Sequence, residues 1–175
     1  MYFYTSLLSL DKNIIFDIFL ISLAEWLTDP NTGKEYKVLE TSTLSHDVNQ
    51  ELCTNIGAHL PEPRNELENL FLDRLGVDRF LLGINNNKDE YQWVFDSDES
   101  PVTWMSWVEW KDYDSYPRYE DGRNCVSMVR QRGEEYDGHR THDWINFPCE
   151  STDFIDARPK SLVCQKSIIG ESCIL

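Results

Sequence analysis

Basic residues are scarce in this chain: 16 lysines and arginines stand against 31 aspartates and glutamates, a formal net charge of −15. That balance argues against nucleic acid, heparin-like polyanions and anionic membrane surfaces as broad partners, since each adds like-charge repulsion. Catalytic signatures are lacking as well. No Gly-x-Ser-x-Gly, phosphate-binding glycine loop or His-Glu-x-x-His is present, and the chain reads as non-enzymatic. The absence of any Cys-x-x-Cys, together with irregular cysteine spacing, speaks against a zinc site. No Asn-x-Ser/Thr acceptor occurs, so N-glycosylation is not expected. Repeats and low-complexity tracts are missing too, and no apolar run is long enough to cross a bilayer.

What is present fits one packed domain. Hydrophobic residues make up 41% of the 175 residues and aromatics 13%, enough for a buried core. The apolar stretch after Lys12 ends at Ala24, with Ser22 two positions earlier, small residues where a signal peptidase cuts. Residues 1–24 are therefore expected to be a signal peptide, residues 25–167 the domain and residues 168–175 a tail. Five cysteines agree with an oxidising, extracellular location, and the chain is expected to be secreted. Cys173 near the end is either a free thiol or the bridge of a disulfide-linked dimer.

Along the domain, 25–33 reads as loop and turn, and Tyr36–Leu39 as a short strand. Leu44, Val48, Leu52 and Ile56 recur every four residues, a helical stripe with Ser45 as N-cap and Gly57 past its end, and Cys53 beside it facing the core. A second helix is predicted from Asn65, with the Asn65/Glu68 start signal, an apolar face of Leu67, Leu70, Phe71 and Leu75, and Gly76 as stop. Four more strands are expected at Phe80–Ile84, Trp93–Phe95, Cys125–Val129 and Ser161–Gln165. Between them, 97–124 has little periodicity, unusual in a compact domain unless the segment is functional or pinned. The fold class is α+β: two helices, small antiparallel sheets and a long irregular loop region.

Several pieces, in order, carry a resemblance. They are Cys53 with Gly57-Ala58-His59-Leu60-Pro61, Pro63-Arg64-Asn65-Glu66-Leu67-Glu68-Asn69, Phe80-Leu81-Leu82-Gly83-Ile84, Trp93, Trp104 and Trp107. Asn124-Cys125-Val126-Ser127-Met128, Trp144 and Pro148-Cys149 complete them. From Tyr36 to Lys166 the chain resembles the C-type lectin-like domain family, with a second-helix start like that of its collectin branch. Cysteine count alone leaves three pairings open among four cysteines. The resemblance implies Cys53–Cys164 and Cys125–Cys149. Glu35 stands where some members carry an extra hairpin cysteine, so this chain looks like the short form.

The family holds Ca²⁺ with oxygen ligands, some of which also bond the sugar. They come from a Glu-Pro-Asn or Gln-Pro-Asp tripeptide and a Trp-Asn-Asp motif. Here the tripeptide position reads Tyr116-Pro117-Arg118, and a guanidinium repels a cation rather than binding it. The second motif reads Trp144-Ile145-Asn146, leaving Asn146 as one neutral carbonyl. At the auxiliary calcium site Glu90 matches, while Asn86 and Arg123-Asn124 replace acids. No cofactor is expected, since the family's calcium ligands are mostly absent, and calcium stays open only in a rearranged site.

Trp104 and Trp107 are expected in the core. Trp110, Tyr113, Tyr116, Pro117, Arg118 and Asn146 are the expected ligand-binding residues, of types common to protein hot spots and sugar-stacking platforms. Asp112, Asp114, Glu120 and Asp121 read as a solvated acidic loop, and in the stretch 134–143, which holds His139 and His142, Gly138 suggests a hairpin tip rather than a metal site. The expected function is an extracellular recognition module binding a protein or glycan without family-type calcium, protein being favoured. The alternative is a true lectin using aromatic stacking or a rearranged calcium site.

Overall fold

The computed structural model describes residues 25–40, 45–86, 91–108, 116–119, 122–130, 142–150 and 161–166. The expected signal peptide, the tail with Cys173, and the sites at Trp110, Tyr113 and His139 lie outside these residues. In chain order the elements are β1 (Leu27–Thr28), β2 (Glu35–Leu39), α1 (His46–Thr54), α2 (Glu66–Arg74), β3 (Arg79–Asn85), β4 (Val94–Phe95), β5 (Cys125–Arg130), β6 (His142–Phe147) and β7 (Leu162–Lys166). They form two antiparallel sheets: β1-β2-β7, and β4-β3-β5-β6. The α+β expectation holds. Among the described residues no helix is long and apolar enough to cross a membrane.

Both helices begin and end on the residues expected from sequence. The Ser45 hydroxyl accepts from the Val48 amide, and the Asn65 side chain accepts from the Glu68 amide, each satisfying an orphan first-turn donor. Gly57 and Gly76 follow at φ of 70° and 72°, the left-handed conformation glycine adopts at least cost.

Their buried faces differ from the expected stripes. Val48 is 42% exposed and Leu67 58% exposed, and Leu70 also faces outward. The inward positions are His46, Asn49 and Cys53 on α1, and Glu68, Asn69 and Leu72 on α2. Leu52, Ile56, Phe71 and Leu75 pack only partly against the core. The reason lies across the interface, where Asn69 and Glu68 meet partners of opposite role. Asn69 Oδ1 accepts from Trp144 Nε1 at 2.9 Å, and Glu68 takes the Arg64 amide and the Lys34 ammonium, the latter at 2.7 Å. A satisfied polar group inside loses little, and the apolar spacing then no longer decides which face turns in.

The two expected disulfides form. Cys53–Cys164 ties α1 to β7, and Cys125–Cys149 ties the start of β5 to the residues after β6. One core cluster lies between the sheets and α2, built on Tyr36, Leu72, Phe80, Leu82, Trp93, Phe95, Met128 and Trp144; a second surrounds the Cys53–Cys164 bridge. Trp104 and Trp107, expected in the core, are partly buried against it and sit edge-on to Trp144 at centroid distances of 5.5 and 5.8 Å. Strands β1 and β6 were not foreseen. β1 is two exposed residues within the expected loop. β6 buries Asp143, Trp144 and Asn146, which hides any alternation of polar and apolar residues.

Polar groups also stitch α1 to the β3–β4 hairpin. The His46 Nε2 lies 3.1 Å from Asp96 Oδ2, and Asn85 Nδ2 donates to Asp96 Oδ1 at 2.6 Å. Burial of the ring lowers its proton affinity, but contact with Asp96, the Leu82 carbonyl and the Asp47 charge together outweigh that and raise the pKa above 6.5. A raised folded pKa means the proton stabilises the native state. This contribution is complete below about pH 6.5 and is lost as pH rises through the folded value. The melting temperature should therefore fall between about pH 6 and 9, with a shallower fall in His46→Gln. Identical slopes for the two proteins would disprove the coupling.

Candidate functional site

The irregular segment after β4 is anchored at its base by backbone bonds to β6. The Trp144 amide donates to the Ser106 carbonyl at 2.7 Å, the Val108 amide to the Trp144 carbonyl at 3.0 Å, and the Tyr116 amide to the Val108 carbonyl at 3.2 Å. A pinned loop of this length is the condition under which an irregular segment is compatible with a compact domain. Its far side is residues 116–119, where the Tyr116–Pro117 peptide bond is cis.

Asn146 on β6 holds that turn. Its Oδ1 accepts from the Arg118 amide at 2.8 Å, and its Nδ2 donates to the carbonyls of Arg118 at 2.6 Å and Arg123 at 2.9 Å. Asn146 is 1% exposed. This revises the role expected of it: a residue so enclosed presents no surface to a ligand, and its carbonyl serves the loop backbone. Nothing in the sequence separates a clamping amide from a ligating one, because both need the same side chain at the same place.

Arg118 is half-buried, and its guanidinium lies 5.0 Å from the centroid of the Tyr116 ring. Its Nε is buried, with no hydrogen-bond partner among the described residues. Tyr116 and Pro117 are also half-buried. The next residue, Tyr119, is 49% exposed and packs against Tyr91, which is 74% exposed, with ring centroids 5.3 Å apart and planes tilted by 41°. Sequence reasoning passed over Tyr91, which no pattern sets apart from other loop tyrosines; only the fold brings it beside Tyr119.

The described residues do not fit a family-type calcium ion. At the tripeptide position stand a phenol and a guanidinium, at the second motif an alkyl side chain and an amide already engaged with backbone. Calcium takes six to eight oxygen ligands, and a cation beside Arg118 meets repulsion. Among the described residues no group of three or more histidine, cysteine or acidic side chains is placed to hold a metal. Asn86, at the auxiliary site, is 4% exposed, and its backbone N–H donates to the Asn124 carbonyl; Glu90 lies outside the described residues. His142 opens β6 opposite Arg130 of β5, and Asp143 beside it is buried, while Gly138, where a hairpin tip is expected, lies outside the described residues.

Residues 42–155 match the family model described as Lectin C-type domain. Among solved structures, the C-type lectin domain of murine dendritic cell inhibitory receptor 2, in complex with N-glycan, is similar at 20% identity and a TM-score of 0.57, covering 81% of this chain and 95% of that one. The mouse scavenger receptor C-type lectin carbohydrate-recognition domain is similar at 17% identity and 0.55, covering 81% and 95%. A calcium-independent type II antifreeze protein is similar at 18% identity and 0.59, covering 81% and 91%. At these identities the likeness is one of fold.

Proposed function

The chain belongs to the C-type lectin domain family, and we propose that it is a secreted, non-enzymatic recognition module that binds its ligand at the cis-proline loop without family-type calcium coordination. The observation that carries this reading is the occupancy of the ligand positions. Arg118 brings positive charge to the tripeptide, and the Asn146 amide is used up by the backbone of the same loop. Two disulfides suit an extracellular location. One fold neighbour is itself described as calcium-independent, so the scaffold is compatible with that state.

The residues available for contact are Tyr116, Pro117, Arg118 and Tyr119, with Trp110 and Tyr113 preceding them in the loop. Tyrosine, tryptophan and arginine dominate protein–protein hot spots, and the ligand we favour is a protein. The exposed Tyr91–Tyr119 pair supports a second reading, a glycan held by stacking on the rings.

Calorimetric titration with Ca²⁺ should give no binding heat at concentrations of about 1 mM, the weak extreme of extracellular calcium modules. A glycan array read with and without EDTA tests the same point from the ligand side. Sugar binding that EDTA abolishes would sink the proposed function.

A further inference from the structure

Between β4 and the anchored base of the irregular loop, Met105 stands outward, 39% exposed, while Val102, Ser106 and Val108 turn inward. Its sulfur is engaged on one side. The Trp107 indole Nε1–H donates to Met105 Sδ at 3.0 Å, in a bond that is itself exposed to solvent. Trp107 is held by the core: its ring lies 5.1 Å from that of Trp93 and edge-on to Trp144, and its backbone bridges that of Trp144. The donor is therefore fixed, and the flexible methionine is brought to it. Met128, by contrast, is fully buried on β5.

We propose that Met105 is a site of reversible oxidation, attacked by peroxide on one face of its sulfur because Trp107 covers the other. This goes beyond the proposed function and does not rest on the ligand. A thioether sulfur is a weak acceptor, and its two lone pairs are also what an oxidant attacks. The Trp107 N–H takes one of them, so the second is the one a peroxide can use. That lone pair attacks a peroxide oxygen, the O–O bond breaks and an S–O bond forms. The sulfur loses two electrons, and the displaced hydroxide takes the proton of the transferred oxygen and leaves as water. The sulfoxide sulfur is chiral, so attack on one face gives one epimer, which the reductase matched to that epimer can reverse. The oxidised sulfur carries partial positive charge and no longer accepts from Trp107, whose N–H passes to water. Oxidation thus removes one of the contacts that fix Trp107, between the Ser106 and Val108 bonds that pin the loop to Trp144.

The test treats the intact disulfide-bonded chain with dilute hydrogen peroxide and maps the added oxygen by peptide mass spectrometry. Met105 should be oxidised at least about tenfold faster than Met128, which the core encloses. The two methionine sulfoxide reductases, one for each epimer, then read the stereochemistry. One of them should restore at least about four-fifths of the Met105 sulfoxide in the parent, against about half in Trp107→Phe, which keeps an aromatic ring and removes the donor.

Oxidation of Met105 as slow as that of Met128 would overturn the site. Equal shares for the two reductases in the parent would overturn the part played by the indole. If Trp107→Phe loses its native circular dichroism, the Trp107 indole N–H resonance of the parent decides. It should shift on oxidation by more than those of Trp93 and Trp144, and an unmoved resonance would sink the proposal.

Discussion

Converting Cys53 and Cys164 together to alanine is expected to lower the unfolding free energy by about 4–5 kcal/mol. The bridge joins residues 111 apart in sequence, so its loss releases a large loop in the unfolded chain. Both cysteines are fully buried at the centre of the second core cluster, between α1 and β7. Removing their sulfurs therefore also leaves space that the neighbouring Leu60, Leu81 and Leu162 must close. The Cys125–Cys149 bridge spans only 24 residues, and its removal should cost less, about 3 kcal/mol. Domains of this size have about 5–15 kcal/mol in total, so the first double variant should unfold well below the parent in urea. A larger loss from the shorter bridge would show that loop-closure entropy does not govern the effect.

Glu62→Ala should cost about 1.5–3 kcal/mol, the range for losing hydrogen bonds to a charged group. Glu62 is 1% exposed and collects donors from separate parts of the chain. The Ser97 amide reaches it at 2.8 Å, the Ser97 hydroxyl at 2.6 Å and the Arg64 guanidinium at 3.3 Å. Arg64 in turn lies over the Phe95 ring at 4.2 Å and bonds Asp98 at 2.8 Å, so the carboxylate organises the whole β4 turn. Strand β3 approaches this group so closely that a Cβ at Gly83 would meet Glu62 Cγ and the Leu60 carbonyl at 3.1 Å each. Alanine at position 62 removes the buried acceptor shared by Ser97 and Arg64, leaving Arg64 on Asp98; Glu62→Gln keeps the shape and most acceptors and should cost much less. Equal losses for the two variants in chemical denaturation would show that hydrogen bonding at this carboxylate matters little.

How legible these features were depends on how local they are. The helix ends could be read because a cap is a contact between residues three apart, Ser45 with Val48 and Asn65 with Glu68. Strands β3, β5 and β7 were legible as apolar runs bounded by turn residues. The helix faces were misread because Asn69 and His46 are turned inward by Trp144 and Asp96, residues 75 and 50 positions away along the chain. At the candidate site, Tyr116, Pro117 and Arg118 were grouped because they adjoin in sequence, whereas Tyr91 was overlooked and Asn146 was given a ligand's task in place of a clamp's.

The sequence by itself determined the fold class, the family frame and the replacement of oxygen ligands by Arg118 and Ile145, because side-chain chemistry is fixed by residue identity. Tertiary structure alone decided that the Asn146 amide clamps the loop, that the Arg118 guanidinium lies against the Tyr116 ring, and that Tyr91 meets Tyr119. The physical reason is the same in each case: a polar side chain takes its role from the partner that reaches it, and those partners come from other elements of the fold.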